Sequence, residues 1–217
     1  ASGSALGAEF RVNTYTDGPQ AEGQIAALAD GGFIITWASR DQDGSDFGVF
    51  GQRYDASGSP QGTEFKINSY TSEAQGDSSI TSLTDGGFVV TWQSFVQDGS
   101  DFGIFGQKYN ASGAPSGAEF QINTYSDGVQ MVPSVTSLSD GGFVVIWQSD
   151  GQDGDGFGIY GQRYDTSGVA SGAEYQINTD TVGNQLHPST TSLSDGSIVV
   201  AWASSDADEY GIFGQWY

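Results

Sequence analysis

The sequence predicts an all-β fold made of four copies of one unit, and three observations support this prediction. Trp37, Trp92, Trp147 and Trp202 recur at a spacing of 55 residues, and self-similarity at such a period is typical of propellers, solenoids and arrays. Within each copy, polar turns separate short runs rich in Val, Ile, Phe, Tyr and Thr, which is a strand pattern. No segment shows the period of a helix. We therefore expect four antiparallel strands per copy.

The third copy shows how each strand is assigned. Its strands are predicted over residues 119–123, 134–138, 143–149 and 157–164. Asp140-Gly141-Gly142 separates the second and third strands and is typical of a tight hairpin turn that needs positive φ. An Ala-Ser-Gly turn, as at residues 111–113, separates the fourth strand from the next first strand.

Four antiparallel strands per copy correspond to one blade of a β-propeller. We therefore predict a single four-bladed β-propeller domain over residues 1–217, with repeat units of about 9–63, 64–118, 119–173 and 174–217 plus 1–8. The second strands are rich in small residues, so we expect them innermost. Residues 1–3 match residues 56–58, which favours a ring closed by pairing of the N-terminal and C-terminal strands. An open fragment of a longer repeat array is the alternative.

The composition narrows the function classes. With 27 acidic against 6 basic residues, the net charge is −21, which repels nucleic acid and anionic membranes. No stretch approaches the ~18 apolar residues of a membrane span, so no membrane insertion is predicted. The absence of cysteine excludes disulfides and thiolate metal sites. Oligomeric state does not follow from the sequence.

An acidic loop between the third and fourth strands is the candidate cation site. In the first copy it reads Asp-Gln-Asp-Gly-Ser-Asp at 41–46, and alternating carboxylates around a glycine favour a hard cation such as Ca²⁺. Ordinary turn chemistry with solvated acids is the alternative. The candidate ligands in the four copies are Asp41, Asp43, Asp46, Asp98, Asp101, Asp153, Asp155, Asp206 and Asp208.

Aromatic residues stand beside these acids in the long loops, on the face where we expect function. Aromatic rings next to carboxylates suit sugar recognition, because a ring covers the apolar face of a pyranose while carboxylates accept its hydroxyl protons. Packing between blades is the alternative for the Phe series. The candidate sugar-binding residues are Tyr15, Tyr70, Tyr125, Phe47, Phe102, Phe157 and Tyr210.

The remaining polar positions predict structure rather than catalysis. Arg53, Lys108 and Arg163 share one repeat position and are expected to form cross-strand ion pairs with Glu64, Glu119 and Glu174. The single histidine, His187, aligns with Glu22, Asp77 and Val132 and has no nucleophile or metal-ligand partner at motif spacing. We therefore expect a chain that is not an enzyme.

Part of the repeat resembles a known group of proteins. The runs Gly-Gly-Phe-Val-Val-Thr-Trp-Gln-Ser at 86–94, Gln-Asp-Gly-Ser at 97–100, Gly-Ile-Phe-Gly-Gln-Lys-Tyr at 103–109 and Gly-Ala-Glu-Phe-Gln-Ile-Asn-Thr at 117–124 resemble tandem repeats of very large secreted bacterial proteins of the calcium-binding, hemolysin-type adhesin group. The resemblance implies an extracellular setting. The acidic loop is similar, more weakly, to integrin-type propeller cation loops, although copies two to four lack the full run of alternating acids. The glycine-rich nonapeptide calcium repeat is absent.

Taken together, these features predict a secreted, multivalent, lectin-like module. Its expected partners are glycans or cell-surface polysaccharide, with Ca²⁺ as a possible support in the long loops. A structural spacer or protein-binding adhesin module without sugar binding is the alternative.

Overall fold

A computed structural model describes residues 3, 5, 7–205 and 210–217 of the chain. These residues form fifteen strands in four antiparallel sheets and no helix, so none of them belongs to a helix that could cross a membrane. Sheet one consists of β1 (Gln20–Ala27), β2 (Phe33–Arg40), β3 (Phe47–Tyr54) and β4 (Pro60–Lys66). Sheet two consists of β5 (Gln75–Ser82), β6 (Phe88–Phe95), β7 (Phe102–Tyr109) and β8 (Phe120–Gln121). Sheet three consists of β9 (Gln130–Ser137), β10 (Phe143–Asp150), β11 (Phe157–Tyr164) and β12 (Tyr175–Gln176). Sheet four consists of β13 (Gln185–Ser192), β14 (Ile198–Ser205) and β15 (Tyr210–Trp216).

The all-β prediction is confirmed, and in the third copy the strand positions agree with it to differing degrees. The fourth strand has the predicted limits and the third is one residue longer. β9 begins at Gln130, four residues before the prediction, because a bulge lets the strand continue past Pro133. Proline has no ladder N–H and is tolerated at such an irregular position.

The Asp-Gly-Gly hairpin turn also forms as predicted. Gly31, Gly86 and Gly141 have φ of 84°, 84° and 89°, which a residue with a Cβ rarely adopts. In the third copy the Asp140 carboxylate accepts the Gly142 N–H at 3.1 Å. The sequence Asp-Gly-Gly therefore fixes the turn by a side-chain hydrogen bond and by backbone freedom.

The core lies between neighbouring sheets. Leu28, Ile34 and Val49 of sheet one cluster with Phe88 and Trp92 of sheet two. Equivalent clusters join sheet two to sheet three and sheet three to sheet four. The four tryptophans of the 55-residue spacing are at most 7% exposed and belong to this core. Each sheet is thus stabilised mainly by the apolar face of the next one.

The inner edges of the sheets meet in series, as the small residues of the second strands predict. β1 contacts β5, β5 contacts β9 and β9 contacts β13, but no comparable contact joins β13 to β1. Residues 7–13 belong to no strand, and among the described residues β14 is the only ladder partner of β15. The predicted ring closure is therefore not seen among the described residues, and the N-terminal segment contacts sheet one, with the Phe10 ring 5.5 Å from that of Tyr54.

The predicted cross-strand ion pairs are wrong. The cations pair instead with aspartates of the hairpin turns: Arg53 with Asp30 at 3.3 Å, Lys108 with Asp85 at 3.0 Å and Arg163 with Asp140 at 2.5 Å. In the β3–β4 ladder Gln61, not Glu64, lies opposite Arg53. Glu64 instead accepts the Gln42 side-chain amide and the Thr14 N–H.

Candidate functional site

The bulge at the start of each inner strand has an uncommon backbone conformation. Four equivalent residues stand there with left-handed φ: Glu22 (60°), Asp77 (48°), Val132 (55°) and His187 (54°). Each lies where the ladder of its inner strand shifts register. A positive φ is uncommon without glycine and is strained for a β-branched residue such as valine. Strain of this kind often marks a functional site.

A central cavity of about 270 Å³ lies where these bulges meet. Its lining comes from all four sheets and includes Glu22, Asp77, Val132 and Pro188. A larger groove of about 480 Å³ runs between the N-terminal segment and sheet one. We place the candidate site in the central cavity, because it collects titratable groups from different sheets, whereas the groove is lined by sheet one and the N-terminal segment alone.

Hydrogen bonds from one sheet to the next hold the bulges in place. The Asp77 N–H donates to a Glu22 carboxylate oxygen at 2.6 Å. In the next two sheets a glutamine replaces that carboxylate: Val132 N–H donates to Gln93 Oε1 at 3.1 Å and His187 N–H to Gln148 Oε1 at 2.9 Å. The contact between the first two sheets is thus the one that brings a charged group to the cavity.

The electrostatics of the cavity favour a protonated acid at one position. Burial raises the pKa of the Asp77 carboxyl, and the negative charge of Glu22 raises it further, while His187 opposes the shift. A half-buried acid with a raised pKa beside a second carboxylate is the arrangement that separates acid and base roles in glycoside hydrolysis.

The predicted acidic loops use their carboxylates within the loops. Asp43 accepts the Ser45 N–H at 3.4 Å and contacts the Asn68 amide at 3.4 Å. The equivalent carboxylates Asp98 and Asp153 contact Asn123 and Asn178, each at 3.3 Å.

The remaining described acids of these loops are exposed, and three of them contact nearby residues. Arg40 lies 3.8 Å from Asp41 and 3.4 Å from Asp46, and Asp155 accepts the Gly183 N–H at 3.0 Å. Asp101 is exposed. No group of three or more His, Cys, Asp or Glu side chains suited to a metal occurs among the described residues, and Asp206 and Asp208 lie outside them. The described carboxylates thus form no cation cage, and calcium binding stays a prediction.

The predicted aromatic residues lie away from the central cavity, whose lining includes none of them. Tyr210 is 57% exposed, and the other six are half-buried: Tyr15, Tyr70, Tyr125, Phe47, Phe102 and Phe157. The main-chain carbonyls of Tyr70 and Tyr125 accept amide protons from the asparagines two residues earlier, at 2.6 and 2.9 Å. The structure therefore repeats these rings along the loops rather than gathering them in one pocket, and their sugar binding stays a prediction.

Sequence reasoning missed Glu22 and Asp77 as site residues. The alignment of His187 with these two acids already held the signal, since one repeat position carries a different residue type in each copy. Its meaning depends on the inner-strand bulge, which brings residues 55 positions apart to the same cavity.

Comparison with solved structures identifies the type of fold. No family model and no curated protein matches the chain. An endo-arabinase from Bacteroides thetaiotaomicron is similar over 95% of this chain and 78% of its own, with a TM-score of 0.56 and 14% identity. A Hadza microbial sialidase is similar over 90% of this chain and 44% of its own, with a TM-score of 0.63 and 10% identity. The α-L-arabinofuranosidase of Fusarium graminearum is similar over 93% of this chain and 67% of its own, with a TM-score of 0.60 and 13% identity.

The fold is therefore of the propeller type found in glycoside hydrolases. At these identities the likeness extends to the fold alone. The expectation that the chain is not an enzyme is nevertheless corrected, because the similar structures described here are carbohydrate-cleaving enzymes. That expectation rested on His187, which has no nucleophile or metal-ligand partner at motif spacing.

Proposed function

We propose that this chain is a carbohydrate-processing protein that binds a glycan at the central cavity and hydrolyses a glycosidic bond. The observation that supports this proposal most strongly is the Asp77 carboxyl, half-buried and shifted toward its protonated form beside Glu22. Asp77 would donate its proton to the leaving glycosidic oxygen. Glu22 would supply the second carboxylate, which either deprotonates the attacking water or attacks the sugar itself.

The position of the pair agrees with this role. Both residues lie at the start of inner strands, next to the long loops, so an extended polysaccharide could approach the cavity along that face. The left-handed backbone at the bulges is held by hydrogen bonds between sheets, which keeps the two acids in place without substrate. The equivalent positions of sheets three and four carry Val132 and His187 rather than further carboxylates, so these bulges contribute one acid pair.

The test measures release of reducing ends from arabinan, xylan and sialylated glycans. Asp77→Asn should lower the rate by about 100-fold or more, because general acid catalysis contributes roughly 10²–10⁴-fold. Asp127→Asn, at an exposed loop aspartate, is the matched control and should keep the wild-type rate. NMR of the first anomer released then assigns the role of Glu22, since retention requires a covalent intermediate. No cleavage of any glycan, or full activity of Asp77→Asn, would refute the proposal.

Sugar binding on the loops is a second candidate function, supported by the repeated half-exposed rings beside the acidic loops. Its signature would be several equivalent weak sites, because each copy presents a similar ring. Tyr70→Ala and Tyr125→Ala together should then reduce the binding stoichiometry measured by calorimetry, whereas Asp77→Asn should not. A stoichiometry that both sets of variants leave unchanged would contradict loop binding.

An extracellular location and calcium support belong to this proposal as well. A polysaccharide substrate and the adhesin-like repeats both favour secretion. Calcium support predicts that the chain unfolds at a lower temperature in excess chelator, and that Asp43→Ala removes the difference. The same melting temperature with calcium and with chelator would remove the cation from the proposal.

A further inference from the structure

The outer side of sheet four lacks the strand that completes the other three sheets. Sheets one to three end in β4, β8 and β12, each of which carries a Glu-aromatic-x-Ile-Asn unit or leads directly into it. Sheet four ends at β15, which within the described part of the chain pairs only with β14. An unpaired edge of this kind is a template for adding another strand.

The exposure of equivalent residues shows how much is uncovered. Ile212 is 81% exposed, whereas its counterparts Val49, Ile104 and Ile159 are all 0% exposed. Tyr217 is 45% exposed, whereas Tyr54, Tyr109 and Tyr164 are 3%, 2% and 4% exposed. Leu193 is 39% exposed, whereas Leu28, Leu83 and Leu138 are 7%, 4% and 6% exposed. The same side chains that form the core between sheets thus form an open apolar face here.

The interior of the molecule shows what covers this position. In sheet two the Ile122 N–H donates to the Ile104 carbonyl at 2.8 Å, and the Asn123 side-chain oxygen accepts the Ile104 N–H at 2.7 Å. The same two bonds recur in sheet one and in sheet three. The Ile-Asn pair therefore binds both the N–H and the carbonyl of Ile104, and Ile212 is the counterpart of Ile104 in sheet four.

A strand alone would not cover the whole face. Between sheets one and two, Leu28, Ile34 and Val49 are covered by the apolar face of the following sheet, including Phe88 and Trp92. The occupant of the open side must therefore bring a strand to β15 and an apolar sheet face to Leu193 and Ile212.

We propose that the open side of sheet four is a docking surface for a further repeat of the same class, whose Glu-aromatic-x-aliphatic-Asn strand adds to β15 in antiparallel register. Three interfaces within the chain have this geometry, and the partner continues them by one step. The residues of this chain that receive it are Leu193, Ile212, Phe213, Trp216 and Tyr217.

The chain's own unit of this type, at residues 9–13, contacts sheet one and forms no ladder with β15. The Phe10 ring lies 5.5 Å from that of Tyr54, much as the Phe65 ring lies 5.9 Å from that of Tyr109. Thr14 N–H also donates to Glu64 at 2.6 Å. The N-terminal segment thus docks on sheet one, and in this structure it leaves β15 free.

A synthetic peptide of residues 115–125, which contains Glu-Phe-Gln-Ile-Asn, tests the proposal on the whole chain. Trp216 in β15 is 67% exposed and the other four tryptophans are at most 7% exposed. A blue shift of tryptophan emission therefore indicates that a bound peptide shields Trp216 from water. We expect saturable binding that weakens at least about tenfold, equal to about 1.4 kcal/mol, when the peptide carries Ile122→Asp. Ile212→Asp in the chain should have the same effect, and Val169→Asp, at an exposed residue of a distant turn, should not.

Crosslinking fixes the register. Phe105 faces Gln121 in the β7–β8 ladder, and the chain has no cysteine. Phe213→Cys should therefore form a mixed disulfide with a peptide carrying Gln121→Cys more readily than Gln215→Cys does.

Three outcomes would overturn the proposal. The first is no binding at any peptide concentration. The second is binding only after Val12→Asp, which would show that the chain's own N-terminal segment fills the edge. The third is an Ile212→Asp-sensitive dimer in light scattering, which would make a second copy the occupant. None of these results depends on the proposed hydrolysis, which is measured separately.

Discussion

The fourth sheet allows one repeat position to be compared in a buried and an exposed setting within the same chain. Ile104 and Ile212 occupy this position and are 0% and 81% exposed. Replacing a buried isoleucine with alanine costs about 2–5 kcal/mol through lost burial and the cavity that remains. An exposed isoleucine costs within about 0.5 kcal/mol. We therefore expect Ile104→Ala to lower the free energy of unfolding by roughly 3 kcal/mol and Ile212→Ala to leave it nearly unchanged.

Urea unfolding monitored by circular dichroism measures this difference. With an m-value of about 2 kcal/mol/M, a loss of roughly 3 kcal/mol lowers the midpoint by about 1.5 M. The m-value should be the same in both variants, since neither changes the surface exposed on unfolding by much. Equal losses in the two variants would refute the reasoning, because they would show that the outer face of sheet four is as well covered as the faces between sheets.

Three further results are expected. Asn123→Ala should cost roughly 3 kcal/mol in urea unfolding, because it removes four hydrogen bonds of a buried side chain; Asn13→Ala, in the half-buried N-terminal segment, should cost less, and equal costs would contradict this account. Arg163→Gln should cost at most about 1 kcal/mol at neutral pH. Hydrogen bonds from Gly142 and Arg163 lower the pKa of Asp140, so the cost should be present above the carboxyl's ordinary pKa and vanish as the pH falls through the lowered value; a cost independent of pH would exclude the pair as its source. Asp77→Asn should stabilise the chain at neutral pH, because the raised pKa means that folding disfavours the charged carboxyl. That gain should shrink as the pH falls through the raised pKa toward the ordinary one, and a destabilised variant at pH 7 would contradict the assignment.

Much of the architecture follows from the sequence alone. The tryptophan spacing predicts the repeat, and the runs of β-branched and aromatic residues predict the strands, because a strand pattern is local. Asp140 and Gly141 predict their hairpin turn for the same reason. The tryptophans could be assigned to the core without the structure, since large apolar side chains in the middle of strands are usually buried.

The site depended on tertiary structure. Asp77 and Glu22 are 55 residues apart, and only the inner-strand bulges and the series of sheets bring them to one cavity. The strand pairing places Gln61 opposite Arg53, and Arg53 pairs with Asp30 of the hairpin turn, a choice that no local pattern contains.

Residues 9–13 and β15, at the two ends of the series of sheets, show what the sequence determines and what the tertiary structure decides. Residues 9–13 carry the same strand unit as the interior copies, and the sequence alone determines that identity. Whether the unit pairs with β15 depends on the geometry accumulated over three interfaces between sheets, and in the structure β15 stays open. Local sequence sets the chemistry of each strand, whereas long-range packing sets which strands meet.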